Sequence, residues 1–306
     1  MSTRQRRFEY SVVEDNNTTE SSKCLVCGYC KVPSYSVVNA VAAFIHLIQA
    51  GFIMFFTLKN SLDRSVPLQE QYTNWIPENK KDTNASYTIE LDGMALNVAT
   101  VPTKSEFSIA WGVISFFLLS FFFQSINICR KEYKDEKTNP LRFIEYSISA
   151  SIMLVLIALV NGIFDQSIII LIAVSCTACQ LCGLVAEQLL NLHKKYKEQD
   201  EELSNNLKVL AWISHLIGWL LIITAYAIIF RYYDVSNRNS DGQAPEFVTV
   251  IVISIFILFS SFGVVQLLQM TIPELEYDTA ELVYVCLSLT AKTVLGWIIY
   301  ANVLVN

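Results

Sequence analysis

Apolar residues along this chain gather into seven long runs separated by polar stretches, at approximately 35–58, 107–128, 141–164, 168–190, 209–230, 247–270 and 282–304. Each run is long enough to cross roughly 30 Å of hydrocarbon as a helix. The pattern therefore predicts an all-α membrane protein, a seven-transmembrane helix bundle. Two boundaries carry local signals. Asn139-Pro140 reads as an N-cap followed by proline at the first helical position, which starts the third span there. Pro273 ends the sixth span, and the short connection over 271–278 makes the sixth and seventh spans neighbours.

The polar stretches differ from one another. Residues 1–33 form a polar tail expected to be disordered, and 34–306 form the bundle. The connection over 59–106 is long for a bundle and should have structure of its own. Within it, β-favouring residues flank Asp92-Gly93, and Asp-Gly supplies the positive φ values of a tight turn. A β-hairpin over 87–101 is predicted.

Composition agrees with the pattern. Of 306 residues, 53% are hydrophobic and only 16% are charged, and mean hydropathy is +0.40. That is too apolar for a soluble domain of this size and too interrupted by charge for one buried core. The expected partner is the lipid bilayer, and nothing points to nucleic acid. The first 33 residues contain no apolar core of a signal peptide, so the first span is expected to direct insertion.

The net charge of −6 says little about orientation, which follows Lys and Arg. The tail carries Arg4, Arg6, Arg7, Lys23 and Lys31. The connection after the second span carries Arg130, Lys131, Lys134 and Lys137, and that after the fourth carries Lys194, Lys195 and Lys197. On the other side, the connection after the third span has no such residue and that after the fifth has Arg231 and Arg238. The positive-inside rule then places the N-terminus in the cytoplasm and the C-terminus and hairpin outside. G-protein-coupled receptors and ordinary microbial rhodopsins have the reverse orientation.

Cys24, Cys27 and Cys30 lie just before the first span and lack a nearby fourth ligand, so they read as reduced thiols or acylation sites rather than a zinc ribbon. Cys176, Cys179 and Cys182 repeat the spacing inside the fourth span, where small residues line a helix contact. Asn84 begins a glycosylation sequon on the outer side, whereas the sequons at Asn16 and Asn17 fall on the cytoplasmic side.

Chemistry concentrates on Lys292, at the centre of the seventh span. A charged lysine there costs roughly 3 kcal/mol on insertion scales, so it needs a partner, a water path or covalent modification. A Schiff base with an aldehyde is one such modification. Glu145 in the third span is the natural partner, since the other intramembrane carboxylate, Glu187, lies near the end of the fourth span. Glu145 shares a helical face with Arg142 and Ser149, so an interfacial Arg142–Glu145 pair is the alternative. A depth difference of roughly 8–13 Å between the Cα atoms of Glu145 and Lys292 has to be bridged, and a seventh helix starting lower would help. Other polar groups inside the spans are His46, Gln49, Ser120, Gln124, Gln266 and Ser288. Phe256, Phe259 and Phe262 form an aromatic stripe suited to packing or to a flat conjugated ligand.

Taken together, these residues resemble the heliorhodopsin family. The motifs are Arg142-x-x-Glu145-Tyr146-Ser147-x-Ser149-Ala-Ser151-x-Met153 in the third span and Ser288-Leu-Thr-Ala-Lys292 in the seventh. His46-x-x-Gln49, Gln266, the inverted topology and the long first outer connection add to the likeness. The resemblance implies all-trans-retinal bound to Lys292 as a protonated Schiff base, Glu145 as counterion, and a homodimer. It also implies that Ser288, Ser120, His46, Gln49 and Gln266 surround the Schiff base, with Ser149, Tyr146, Met153 and Phe259 at the retinal. This chain departs from the family at Gln124, where a histidine is usual. Glutamine cannot take up and release a proton near neutral pH as histidine can, which leaves His46 as the imidazole of the cluster.

The function so implied is a photoreceptor, not an enzyme, whose slow conformational signal is read by a cytoplasmic partner. A light-activated proton or cation conductor is the competing reading, with Glu187, Glu145, His46 and Gln124 lining its path. No nucleophile–base spacing or receptor signature stands out within the spans.

Overall fold

The computed structural model describes residues 35–77, 87–91, 94–129, 137–239, 245–272 and 275–305, with side chains described outside 73–99. Seven helices are long and apolar enough to cross a membrane. They are α1 (Tyr35–Asn60), α2 (Ile109–Cys129), α3 (Pro140–Val160), α4 (Gln166–Tyr196), α5 (Glu201–Asn239), α6 (Glu246–Thr271) and α7 (Tyr277–Ile299), the last continued by a π-helical turn over Tyr300–Leu304. The protein is a multi-pass integral membrane protein.

The third helix is the axis of the bundle. Its most apolar stretch is 78% buried, against 22% for those of α4 and α6. Its start is fixed as the sequence predicts. Asn139 caps it by accepting from the backbone N–H of Arg142 at 3.3 Å, and Pro140 occupies the first turn, where no N–H is needed. Asp165 caps α4 in the same way, through the N–H of Ile168 at 3.0 Å. Gly162, with φ of +81°, turns the chain between these helices in a conformation that suits glycine. Ile170 and Val174 of α4 and Leu216 and Leu220 of α5 face outward, apolar and exposed, as a lipid-facing surface requires.

Three boundaries differ from the sequence expectation. Helix α5 runs on to Asn239, so Arg231 and Arg238 lie on its surface, flanking Asp234 at 3.5 and 2.8 Å, rather than in a loop. Helix α7 starts at Tyr277, five residues before the apolar run, and so brings Glu281 into the bundle. The connection after α1 is a three-stranded antiparallel sheet, not a hairpin alone. Strands β2 (Tyr87–Leu91) and β3 (Met94–Ser108) pair as the predicted hairpin, and β1 (Ser65–Pro77) adds to the other side of β3. Pro67 and Pro77 disguise β1 as coil, but an edge strand tolerates proline, and the register shifts between Pro67 and Gln69. The sheet is tied to the bundle where the N–H of Gln69 donates to Phe164 O at 2.8 Å. Asp92, Gly93, Asn84, Pro273 and the tail cysteines lie outside the described residues.

The interior has two unlike halves. Toward the C-terminal end of α7, Ile53, Val113, Phe116, Phe117, Leu154, Leu156, Leu295 and Ile299 pack into a continuous apolar core. Toward its N-terminal end, buried acids, bases and amides accumulate.

Candidate functional site

Lys292 sits at the boundary between those halves, 3% exposed. Its Nζ donates to Glu145 Oε1 at 3.1 Å and to Ser288 Oγ at 2.7 Å. Ser120 Oγ of α2 donates to the same Glu145 oxygen at 2.6 Å. Four helical residues from three helices thus converge on one amine and one carboxylate, all nearly inaccessible to water.

Helix geometry explains how the depth difference is bridged. Side chains lean toward the N-terminus of their helix, so the amine of Lys292 hangs at the level of Ser288, one turn earlier. The early start of α7 does the rest, because Glu281 stands level with Asn139 and accepts from its Nδ2 at 3.0 Å. From that shared level the rise is about 16 Å to the Cα of Lys292 and about 9 Å to that of Glu145. A lysine side chain spans the remainder.

The surrounding polar residues fall into different environments. Gln49 Nε2 donates to Thr293 Oγ1 at 2.9 Å, beside Lys292 in sequence. His46 is fully buried against the ring of Phe117, with centroids 5.6 Å apart. Neither ring nitrogen of His46, nor Ser149 Oγ, nor Gln124 Oε1, has a hydrogen-bond partner. Tyr146 lies beneath the amine, which is 5.1 Å from its ring centroid, and donates to Tyr284 O at 3.1 Å. Met153 is buried higher on α3, in the apolar core.

Arg142 does not pair with Glu145. Its Nη2 meets Glu187 Oε2 at 2.5 Å and its Nη1 bonds Glu281 Oε1. Tyr284 and Phe143 sandwich the guanidinium, whose carbon lies 3.9 and 4.5 Å from their ring centroids. Asn139 holds both acids, through its backbone N–H to Glu187 at 3.3 Å and its side chain to Glu281. Sequence reasoning missed Glu281 because it stands just before the apolar run. The faint signal was its spacing from Lys292, which places both on one face of α7.

A cleft lined from α3, α4, α5, α6 and α7 opens beside Tyr146, with about 610 Å³ of non-atom space, its open mouth included. Tyr146, Phe259, Phe262, Trp219 and Tyr284 supply aromatic walls. Glycines keep it slender: a Cβ on Gly263 would fall 2.5 Å from the Trp219 ring, and one on Gly183 2.9 Å from Phe143. Gln266 lines this cleft, and its hydrogen bonds are made to α4 and α5. Its Nε2 donates to Gly183 O at 2.7 Å and its Oε1 lies 3.1 Å from His215 Nδ1. Trp219 Nε1 donates to His215 Nε2 at 3.0 Å. That chain of bonds makes His215 a neutral Nδ1–H donor, which places the proton by its partners. His215 was also missed, although Trp219 one turn on and Tyr226 eleven residues on share its face of α5.

Phe256 and Phe259 pack on Tyr226, and Phe262 stacks on Tyr284 at 6.1 Å, so the stripe is divided between core and cleft. On α4, Cys179 O and Cys182 Cβ lie 3.4 and 3.5 Å from where a Cβ of Gly218 would stand, a close helix contact.

These residues suit an aldehyde with a long conjugated tail. A buried amine is available for an imine, a carboxylate balances its charge, and a narrow aromatic cleft runs from Tyr146 toward Trp219. His46, Gln124 and Ser149 add buried polar atoms that have no hydrogen-bond partner. No curated protein matches the chain. The model of the family described as Heliorhodopsin matches residues 36–304, nearly all of it.

Proposed function

Because this chain belongs to the heliorhodopsin family, a family of light-sensing, retinal-binding proteins of the rhodopsin type, we propose that it is a photosensor that binds all-trans-retinal through Lys292. The buried Lys292–Glu145 pair, set between Ser288 and Ser120 at the edge of an aromatic cleft, is the observation that carries this reading. Bound retinal supplies the absorption of visible light and the double-bond isomerisation that no side chain offers.

The protein's own residues do the remainder. Glu145 holds the positive charge and proton on Nζ, and Ser288 and Ser120 orient the two partners. Tyr146, Phe259 and Trp219 exclude water along the cleft. Displacing the nitrogen from Glu145 would leave a buried carboxylate short of a cation, a cost of roughly 3–5 kcal/mol. Helices that relieve that cost form the signalling state, and a cytoplasmic partner or second protomer reads it. The Lys and Arg distribution supports an N-terminus in the cytoplasm and a sheet outside.

The polar half around Arg142 lends some support to a light-activated proton or cation conductor. The opposite half favours sensing. Among the described residues, no buried acid, histidine or base lies beyond Lys292 toward the C-terminal end of α7.

Purified protein given retinal should develop a visible band that hydroxylamine bleaches. Lys292→Ala should remain colourless under the same conditions. A visible band retained by that variant would overturn the assignment.

A further inference from the structure

We propose that a pocket at one end of the bundle is a binding site for a phosphate group, with Lys137 and Lys194 as its cations and the Tyr277 hydroxyl as a further donor. The pocket lies where α3 and α7 start and α4 and α6 end, and holds about 790 Å³ of non-atom space, its open mouth included. Lys137, Lys194 and Glu276 are exposed at it, so a ligand can enter from outside the bundle. Lys292 and Glu145 do not line it, and neither retinal nor light enters the proposal.

The charges at this pocket do not cancel. Its charged lining is Lys137, Lys194, Glu187 and Glu276. Glu187 is already satisfied, by Arg142 Nη2 at 2.5 Å and by the backbone N–H of Asn139 at 3.3 Å. Two ammonium groups therefore face one unengaged acid, and among the described residues neither lysine is ion-paired. Like charges at one pocket repel, and an anion between them replaces that repulsion with two attractions. The hydroxyl of Tyr277 is buried without a hydrogen-bond partner, a donor that the fold itself leaves unused. Lys137 is also held in place. Its φ of +49° is uncommon for a residue other than glycine, and Asn191 Nδ2 of α4 secures that turn by donating to Lys137 O at 2.6 Å. A phosphate group carries three strong acceptor oxygens, which matches two ammonium groups and one hydroxyl. Lysine serves such a group as a compact point charge.

Free phosphate and a phospholipid headgroup share this chemistry, and two arms of one experiment separate them. In the first, inorganic phosphate is titrated into the full chain in a maltoside detergent at constant ionic strength, and heat is recorded. Saturable binding at one site is expected. Lys137→Gln and Lys194→Gln should each weaken it about tenfold or more, the scale of a lost charge-assisted hydrogen bond. Tyr277→Phe should weaken it severalfold. Both lysines are exposed, so their replacement tests binding rather than folding. Lys195→Gln, at a residue that does not line the pocket, should bind as the parent does. In the second arm, protein from nanodiscs of phosphatidic acid and phosphatidylcholine in equal parts is examined by native mass spectrometry. Phosphatidic acid retained by the parent and lost from Lys194→Gln assigns the site to a headgroup. Phosphate binding without such retention assigns it to a soluble phosphate. The proposal is overturned if neither probe binds in a lysine-dependent way, or if Lys195→Gln weakens phosphate as much as Lys194→Gln does.

Discussion

Three carboxylates, Glu145, Glu187 and Glu281, face two cations, Arg142 and Lys292, at sites no more than 6% exposed. The surplus negative charge needs support, and it finds it at helix ends. The backbone N–H of Asn139, the N-cap of α3, donates to Glu187, and Glu281 lies near the start of α7, where the helix dipole favours an anion. Glu145 has no such support and depends on Lys292 and Ser120. Glu145→Gln should therefore act locally. In retinal-free protein it should lower stability by about 3 kcal/mol, the cost of stranding one member of a buried pair, and a Lys292→Met partner mutation should recover most of it in a double-mutant thermal cycle. In the pigment the protonated form should absorb to the red of the parent, because the charge no longer has a negative anchor at the nitrogen end. An unchanged spectrum together with additive mutational effects would point to another counterion.

Among the elements, close approach of α2 to α7 depends on one small residue. A Cβ on Gly296 would fall 2.6 Å from the Phe117 ring, and that ring in turn covers His46. Gly296→Ala must push a fully buried phenylalanine, at a cost of about 1–3 kcal/mol, and should lower the unfolding temperature measurably. Phe117→Leu, which makes room for the new methyl, should restore part of the loss; no recovery would mean that the contact is not the cause. The seven spans were legible in the sequence because length and hydropathy are local properties, as is the Asn139-Pro140 cap. Strand β1 was not, since what makes it a strand is its pairing with β3, and its prolines read as coil. The same reason hid Glu281. Whether an acid at the foot of a helix faces lipid headgroups or a buried arginine is decided by Arg142 on another helix. For Gln266 the inward direction was legible, but its neighbour His215 was not.

Across the whole molecule, polar and apolar halves meet at Lys292, and this asymmetry bears on what light can achieve. Net transport needs a path on both sides of the charged nitrogen, with groups that hand protons or ions onward. On the side toward the N-terminal end of α7, buried acids, bases and amides supply such groups. On the other side, Leu295, Ile299, Phe116 and Ile53 are at most 1% exposed and offer no group to carry a proton or an ion. Moving an ion through such a layer would cost many kcal/mol unless helices parted enough to admit water. A proton leaving Lys292 therefore has its return route on the side it left by, and its displacement does electrical work inside the protein rather than across it. Under voltage clamp with retinal supplied, illumination should give at most a brief charge-displacement transient and no steady current at any holding potential. A sustained photocurrent that reverses with voltage would mean that the apolar half opens, and the sensing role would give way to conduction. Replacing Leu295 with Ser would then locate the path, since a current limited by that layer should grow when the layer is made polar.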